Sequence, residues 1–157
     1  MLYGKSKIFW LCFSFVLIGC NRFHLFFPAD KQEIKIRAWA YYFQGLELEN
    51  TAKWKIAAES FYSALALEPD NARISTHLAK NLFYSGKKEL AMGFLKKALE
   101  HVEDQDYLLF FDIGFIYQKA TYYKQAEQCY RQALIIFPRF SECQKCLENI
   151  QKKLTEP

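Results

Sequence analysis

Between Tyr107 and Pro138 the apolar and small residues fall on two helical stripes. The first runs Phe110, Ile113-Gly114, Tyr117; the second runs Tyr123, Ala126, Tyr130, Ala133, with Pro138 beyond it. Steps of three and four place each series on one face of a helix. Gly114 and Ala126 are small where two antiparallel helices must cross closely. Tyr117, Tyr123 and Tyr130 are large enough to fill the space around that crossing. Pro138 stops the second helix, because proline has no N–H for an i→i−4 hydrogen bond. The segment therefore predicts a helical hairpin with an apolar side that it cannot bury by itself.

The series returns twice upstream, as Ser75, Leu78-Ala79, Leu82, Lys88, Ala91, Leu95, Ala98, Glu103, and as Tyr41, Gln44-Gly45, Leu48, Trp54, Ala57, Phe61, Ala64, Pro69. Ala57, Ala91 and Ala126 stand 34 and then 35 residues apart, and Ala64, Ala98 and Ala133 keep those steps. Periodic alanines alone are weak evidence. Three aligned copies with large residues at fixed offsets make an accidental repeat in a generic bundle the weaker reading. The pattern predicts helices over 31–49, from 51 or 53 to 67, over 72–84, 87–101, 107–119 and 122–137, and a last one from 141 to about 154. That last helix carries Cys143, Cys146-Leu147 and Ile150 on one side and Gln144, Lys145, Glu148, Lys152 and Lys153 on the other. A terminal repeat needs such a cap, here over a face that includes Ile135 or Ile136.

The spacing is that of the tetratricopeptide (TPR) pattern, W-x2-L-G-x2-Y, then A-x3-F, then P. The chain resembles that family over about residues 37–140. The resemblance implies an all-α TPR solenoid. Three helix-turn-helix repeats (about 38–71, 72–106 and 107–140) occupy residues 33–140, with a capping helix at 141–157. It further implies a superhelix whose first helices line a concave groove for a peptide or partner helix. The groove positions, carried over, are Trp39, Tyr42, Phe43 and Leu46, then Arg73, Thr76, His77, Lys80 and Tyr84, then Leu108, Phe111, Phe115 and Lys119. Such a groove is aromatic at both ends and basic in the middle. Arg73 and Lys80 share one helix face with His77 between them, a positive strip for an acidic or carbonyl-rich partner segment. Tyr42 and Phe111 flank it as apolar anchors. The competing reading is that several of these aromatics are core. The family members that grip chaperone C-terminal carboxylates carry Lys and Asn where this chain has Tyr42 and Leu46, which argues against a carboxylate clamp.

The amino-terminal segment follows another pattern. Lys5 and Lys7 precede an apolar or small run from Ile8 to Gly19, shorter than the ~20 residues that span a bilayer and suited to a signal peptide. Leu17-Ile18-Gly19-Cys20 resembles the bacterial lipobox. That resemblance implies a lipoprotein leader over residues 1–19, diacylglycerol on the Cys20 thiol, cleavage before Cys20 and acylation of its new amine. An ordinary secretory signal or an uncleaved anchor are the alternatives. Residues 20–32 form a tether. Its Phe23, Leu25, Phe26 and Phe27 either enter the membrane interface or fold back on the first repeat.

Composition narrows the function. The 157 residues are 52% hydrophobic and 18% aromatic, with only 6 Gly and 4 Pro, which suits one helical domain. Two of the four net positive charges sit on Lys5 and Lys7, leaving no clustered basic face for nucleic acid. His24, His77 and His101 show no metal spacing, and the Gly-rich and nucleophile-elbow motifs are missing, so no catalytic residue and no metal or free cofactor is expected. Cys143-x-x-Cys146 lies inside a predicted helix at core spacing, without the further ligands zinc would need. Cys129 precedes the Pro138 turn, an arrangement that allows a disulfide with one of them in an oxidising compartment. The expected function is a lipid-anchored protein-interaction scaffold or assembly factor of the bacterial envelope, with a protein partner. Its expected location is the periplasmic face of the outer membrane or the cell surface rather than the inner membrane. A small-molecule or lipid binder is the alternative.

Overall fold

Seven helices follow one another in the computed structural model, which describes residues 30–155. They are α1 (Lys31–Asn50), α2 (Trp54–Leu67), α3 (Ala72–Tyr84), α4 (Lys88–Leu99), α5 (Tyr107–Lys119), α6 (Tyr123–Ile136) and α7 (Ser141–Thr155). The expected leader, Cys20 and all but the last residues of the tether lie outside the described residues. No strand occurs among those described, and no helix there is long and apolar enough to cross a membrane.

The three hairpins α1–α2, α3–α4 and α5–α6 turn in the same way. Ala52, Gly86 and Thr121 occupy equivalent turn positions, all with positive φ (56°, 88° and 68°). The next N–H, from Lys53, Lys87 or Tyr122, donates to the carbonyl of Leu48, Leu82 or Tyr117 at 2.9 Å in each case. This long return bond satisfies a carbonyl that the ending helix would leave open. Only the middle turn uses glycine, the residue that enters the left-handed region without steric cost.

Close approach at the crossings explains the small residues. A Cβ on Gly45 would lie 2.7 Å from the ring of Phe61, and one on Gly114 would lie 2.8 Å from the ring of Tyr130. Both rings are fully buried. The equivalent pair in the middle hairpin, Ala79 and Leu95, is also fully buried. A single apolar core runs through all three hairpins and ends on Cys143 and Ile150 of α7.

Two expectations are corrected. Helix α4 ends at Leu99, two residues short of His101. The N–H groups of Glu100 and His101 turn back to the carbonyls of Lys97 and Ala98 instead, which tightens the last turn to i→i−3 and stops it. The cap packs Leu147 and Ile150 on the core but leaves part of the expected face open. Helix α7 seats Cys143 under the Tyr130 carbonyl (3.4 Å) and buries Ile150, but Ile135 remains 70% exposed. The thiols of Cys129, Cys143 and Cys146 are free, and burial pushes those of Cys129 and Cys143 up to about 12 and about 11. Cys143 and Cys146 pack as core residues rather than forming a disulfide with Cys129 or with each other.

Candidate functional site

The first helices of the hairpins, α1, α3 and α5, carry every groove position carried over from the repeat family. The described structure divides these residues into two seams. At the α1–α3 seam the side chains close on one another. At the α3–α5 seam they leave a cavity.

The α1–α3 seam is organised by Glu49, which the sequence reading passed over. Tyr42, Leu46 and Glu49 repeat at helical spacing, so Glu49 stands on the face that α1 turns toward α3. It is 8% exposed. Its Oε1 accepts from Lys80 Nζ at 2.7 Å, and its Oε2 accepts from Asn81 Nδ2 at 2.6 Å. His77 Nδ1 lies 3.1 Å from Oε2. A carboxylate only accepts, so the histidine hydrogen belongs on Nδ1. Burial alone would raise the pKa of Glu49. The donations from His77, Lys80 and Asn81 outweigh it and hold the carboxyl at about 2. Asn81 spends both amide hydrogens, on Glu49 and on the His77 carbonyl, and its buried Oδ1 has no partner.

This arrangement corrects the expected positive strip. Lys80 and His77 are engaged by Glu49. Arg73 donates to Asp106 Oδ2 at 2.8 Å. The other oxygen of Asp106 accepts from the Leu109 N–H at 3.0 Å and caps α5. One aspartate thus starts α5 and ties it to the first turn of α3. The cations of the middle repeat stand against Glu49 and Asp106, so the middle of the face is not a free basic surface.

Several anchors are also core. Tyr42 is 6% exposed, with its ring edge-on to Trp39, Phe61 and His77. Thr76 is 3% exposed and returns its hydroxyl to the Ala72 carbonyl. Tyr42 is consumed by the α1–α3 packing, and Thr76 keeps only a sliver of surface at the α3–α5 seam. Tyr84 stacks on Trp54 of α2 at 4.8 Å, away from the α3–α5 seam. Phe43 is 62% exposed beside the half-buried Trp39. Leu46 is half-buried. Trp39 and Arg73 line a second cavity of about 300 Å³ with Asp70, Asn71 and Glu103.

At the α3–α5 seam the structure brings Thr76, His77 and Lys80 together with Phe111 and Phe115 around a cavity of about 280 Å³. Asp112, Ile116 and Glu142 of α7 complete its wall. Phe111 leans on Phe140 (4.8 Å) and Tyr130 (5.6 Å), while Phe115 is exposed with Lys119 Nζ 5.1 Å above its ring. Leu108 is exposed two turns before Phe115 on α5. Asp112 and Glu142 went unread in the sequence. Asp112 shares the helical spacing of Leu108, Phe115 and Lys119, which is the signal that placed it here. Glu142 had no such signal, since α7 reaches the cavity only through tertiary packing.

No protein-family model and no curated protein matches the chain. Solved structures do share its fold. The first TPR of Spaghetti (RPAP3) bound to HSP90 peptide SRMEEVD superposes with a TM-score of 0.68 at 17% identity, covering 78% of this chain and 96% of that one. Pseudomonas aeruginosa pilF gives 0.66 at 20% identity, covering 79% of this chain and 55% of that one. The Sgt2 TPR domain from Aspergillus fumigatus gives 0.65 at 18% identity, covering 76% and 84%. At these identities the likeness establishes the fold, an all-α TPR solenoid.

Proposed function

We propose that this protein is a membrane-anchored scaffold or assembly factor of the bacterial cell envelope that takes a protein partner on the α1, α3 and α5 face. The observation that carries the partner-binding part is the open cavity at the α3–α5 seam. It combines exposed aromatic surface with ionisable groups, the make-up of an interaction hot spot. The HSP90 peptide held by one fold neighbour supports a peptide as the class of ligand. A lipid or small-molecule binder finds less support, since His77, Lys80, Asp112 and Glu142 supply half of the residues lining the cavity and an acyl chain needs an apolar enclosure.

The anchoring part rests on Leu17-Ile18-Gly19-Cys20 behind a short basic and apolar leader. In this reading diacylglycerol and a further acyl group on Cys20 are the only non-protein components. The protein then faces the periplasm from the outer membrane, or stands on the cell surface. Incorporation of labelled palmitate by cells making the full chain tests the anchor. Labelling is expected to vanish in Cys20→Ala, and persistent labelling would overturn it. A photo-crosslinking amino acid at Phe115 tests the face, with the same probe at exposed Ile135 as control. Protein adducts are expected from position 115 only, and equal adducts from both positions would overturn the site.

A further inference from the structure

We infer that the cavity between α3, α5 and α7 selects its partner by one basic side chain, a lysine or arginine with apolar neighbours, laid against Phe111 and Phe115 and directed at Asp112 and Glu142. This inference rests on the partner-binding reading of the face. Its foundation is the distribution of unspent charge.

The cations of α3 are already bound within the molecule: Arg73 by Asp106, and Lys80 by Glu49. The carboxylates at the cavity are not. Neither Asp112 nor Glu142 has a hydrogen-bond or ion-pair partner among the described residues, although both line the cavity. Asp112 and Glu142 are both exposed, and the packing around Asp112 withholds only part of its water. That partial desolvation raises its pKa above the ordinary carboxylate value, against the opposing pull of His77, Lys80 and Arg73. A crowded carboxylate without a donor gains more from an arriving cation than a fully hydrated one does.

The rings supply the second half of the recognition. Phe111 is fixed from behind by Phe140 and Tyr130. Phe115 already carries an ammonium group over its face, that of Lys119 at 5.1 Å, so the geometry of this helix admits a cation above a ring. Lysine and arginine fit both halves, since their aliphatic stems cover apolar surface while their heads remain in polar surroundings. An acidic segment meets the opposite situation. It would approach Asp112 and Glu142, and the like-charge contact counts against it.

Selection from a randomised peptide library on the full-length chain in detergent tests the inference. Enrichment of Lys or Arg over Gln by about tenfold is expected at one position beside apolar residues, the equivalent of one charge-assisted contact. In the double variant Asp112→Asn, Glu142→Gln the preference is expected to fall below about twofold, with helix content unchanged by circular dichroism. Enrichment of Asp or Glu, enrichment without charge preference, or an undiminished Lys/Arg preference in the double variant overturns the inference and leaves the face as a peptide site. Failure to enrich any peptide over the bare support overturns both.

Discussion

The middle hairpin and the two that flank it meet the same backbone geometry with opposite residues. At the crossing, the flanking hairpins pair a glycine with a large ring, Gly45 with Phe61 and Gly114 with Tyr130, while the middle pairs Ala79 with Leu95. At the turn the choice is reversed. The middle has Gly86 with positive φ, and the flanks force Ala52 and Thr121 into the same region. What the repeat conserves is therefore a summed volume at the crossing and a left-handed bend at the turn, rather than a residue type. Volume-conserving exchanges are those a packed core tolerates best. The middle hairpin also holds the polar knot on Glu49, which ties it to α1.

The largest effect is expected at a flanking crossing. Gly114→Leu places a branched side chain where even a Cβ lies 2.8 Å from the Tyr130 ring. A destabilisation of about 3 kcal/mol is expected, read as a shift in the urea midpoint. If Gly114→Leu melts like the wild type, the crossing is not the close contact described, and the contrast with Ala79 is lost.

A smaller loss is expected from Glu49→Ala, on the order of 2 kcal/mol, because Asn81 and His77 lose the acceptor that their burial requires. The pH dependence identifies the cause. Glu49 sits at about 2 in the fold against an ordinary value of 4.5. A depressed carboxyl stabilises the fold above its unfolded pKa and loses that contribution as pH falls toward the folded one. The stability gap between wild type and Glu49→Ala should be full at pH 7 and narrow between about pH 4.5 and pH 2. A gap that stays constant across this range would assign the loss to packing rather than to the charged knot.

The smallest effects should be gains. Ala52→Gly and Thr121→Gly each remove a side chain from the left-handed region, where an L-residue costs roughly 1–2 kcal/mol. Set against the added flexibility of glycine in the unfolded chain, each should stabilise by about 0.5 kcal/mol or more. Gly86→Ala should move the other way. Paired thermal melts of the three variants decide it, and a loss in all three would mean that the turns are not equivalent.

The sequence by itself determined the repeats. Helical spacing, small residues opposite large ones, and the 34- and 35-residue steps located α3 and α5 to the residue and α7 at its start. These are local constraints, since periodicity and size act within one hairpin. What only tertiary structure decided is where charge and aromatic surface remain available. Tyr42 and Phe115 both lie on first helices at family groove positions, yet one is buried and the other exposed. Arg73 and Lys80 read as a basic strip because their acceptors, Asp106 and Glu49, lie 33 and 31 residues away in the chain. Glu142 joins the cavity only because α7 folds back against α6 beneath Tyr130. Periodicity says which face a residue is on. Whether its charge is free depends on the distant partner that packing brings within hydrogen-bond reach, and no local pattern records that distance.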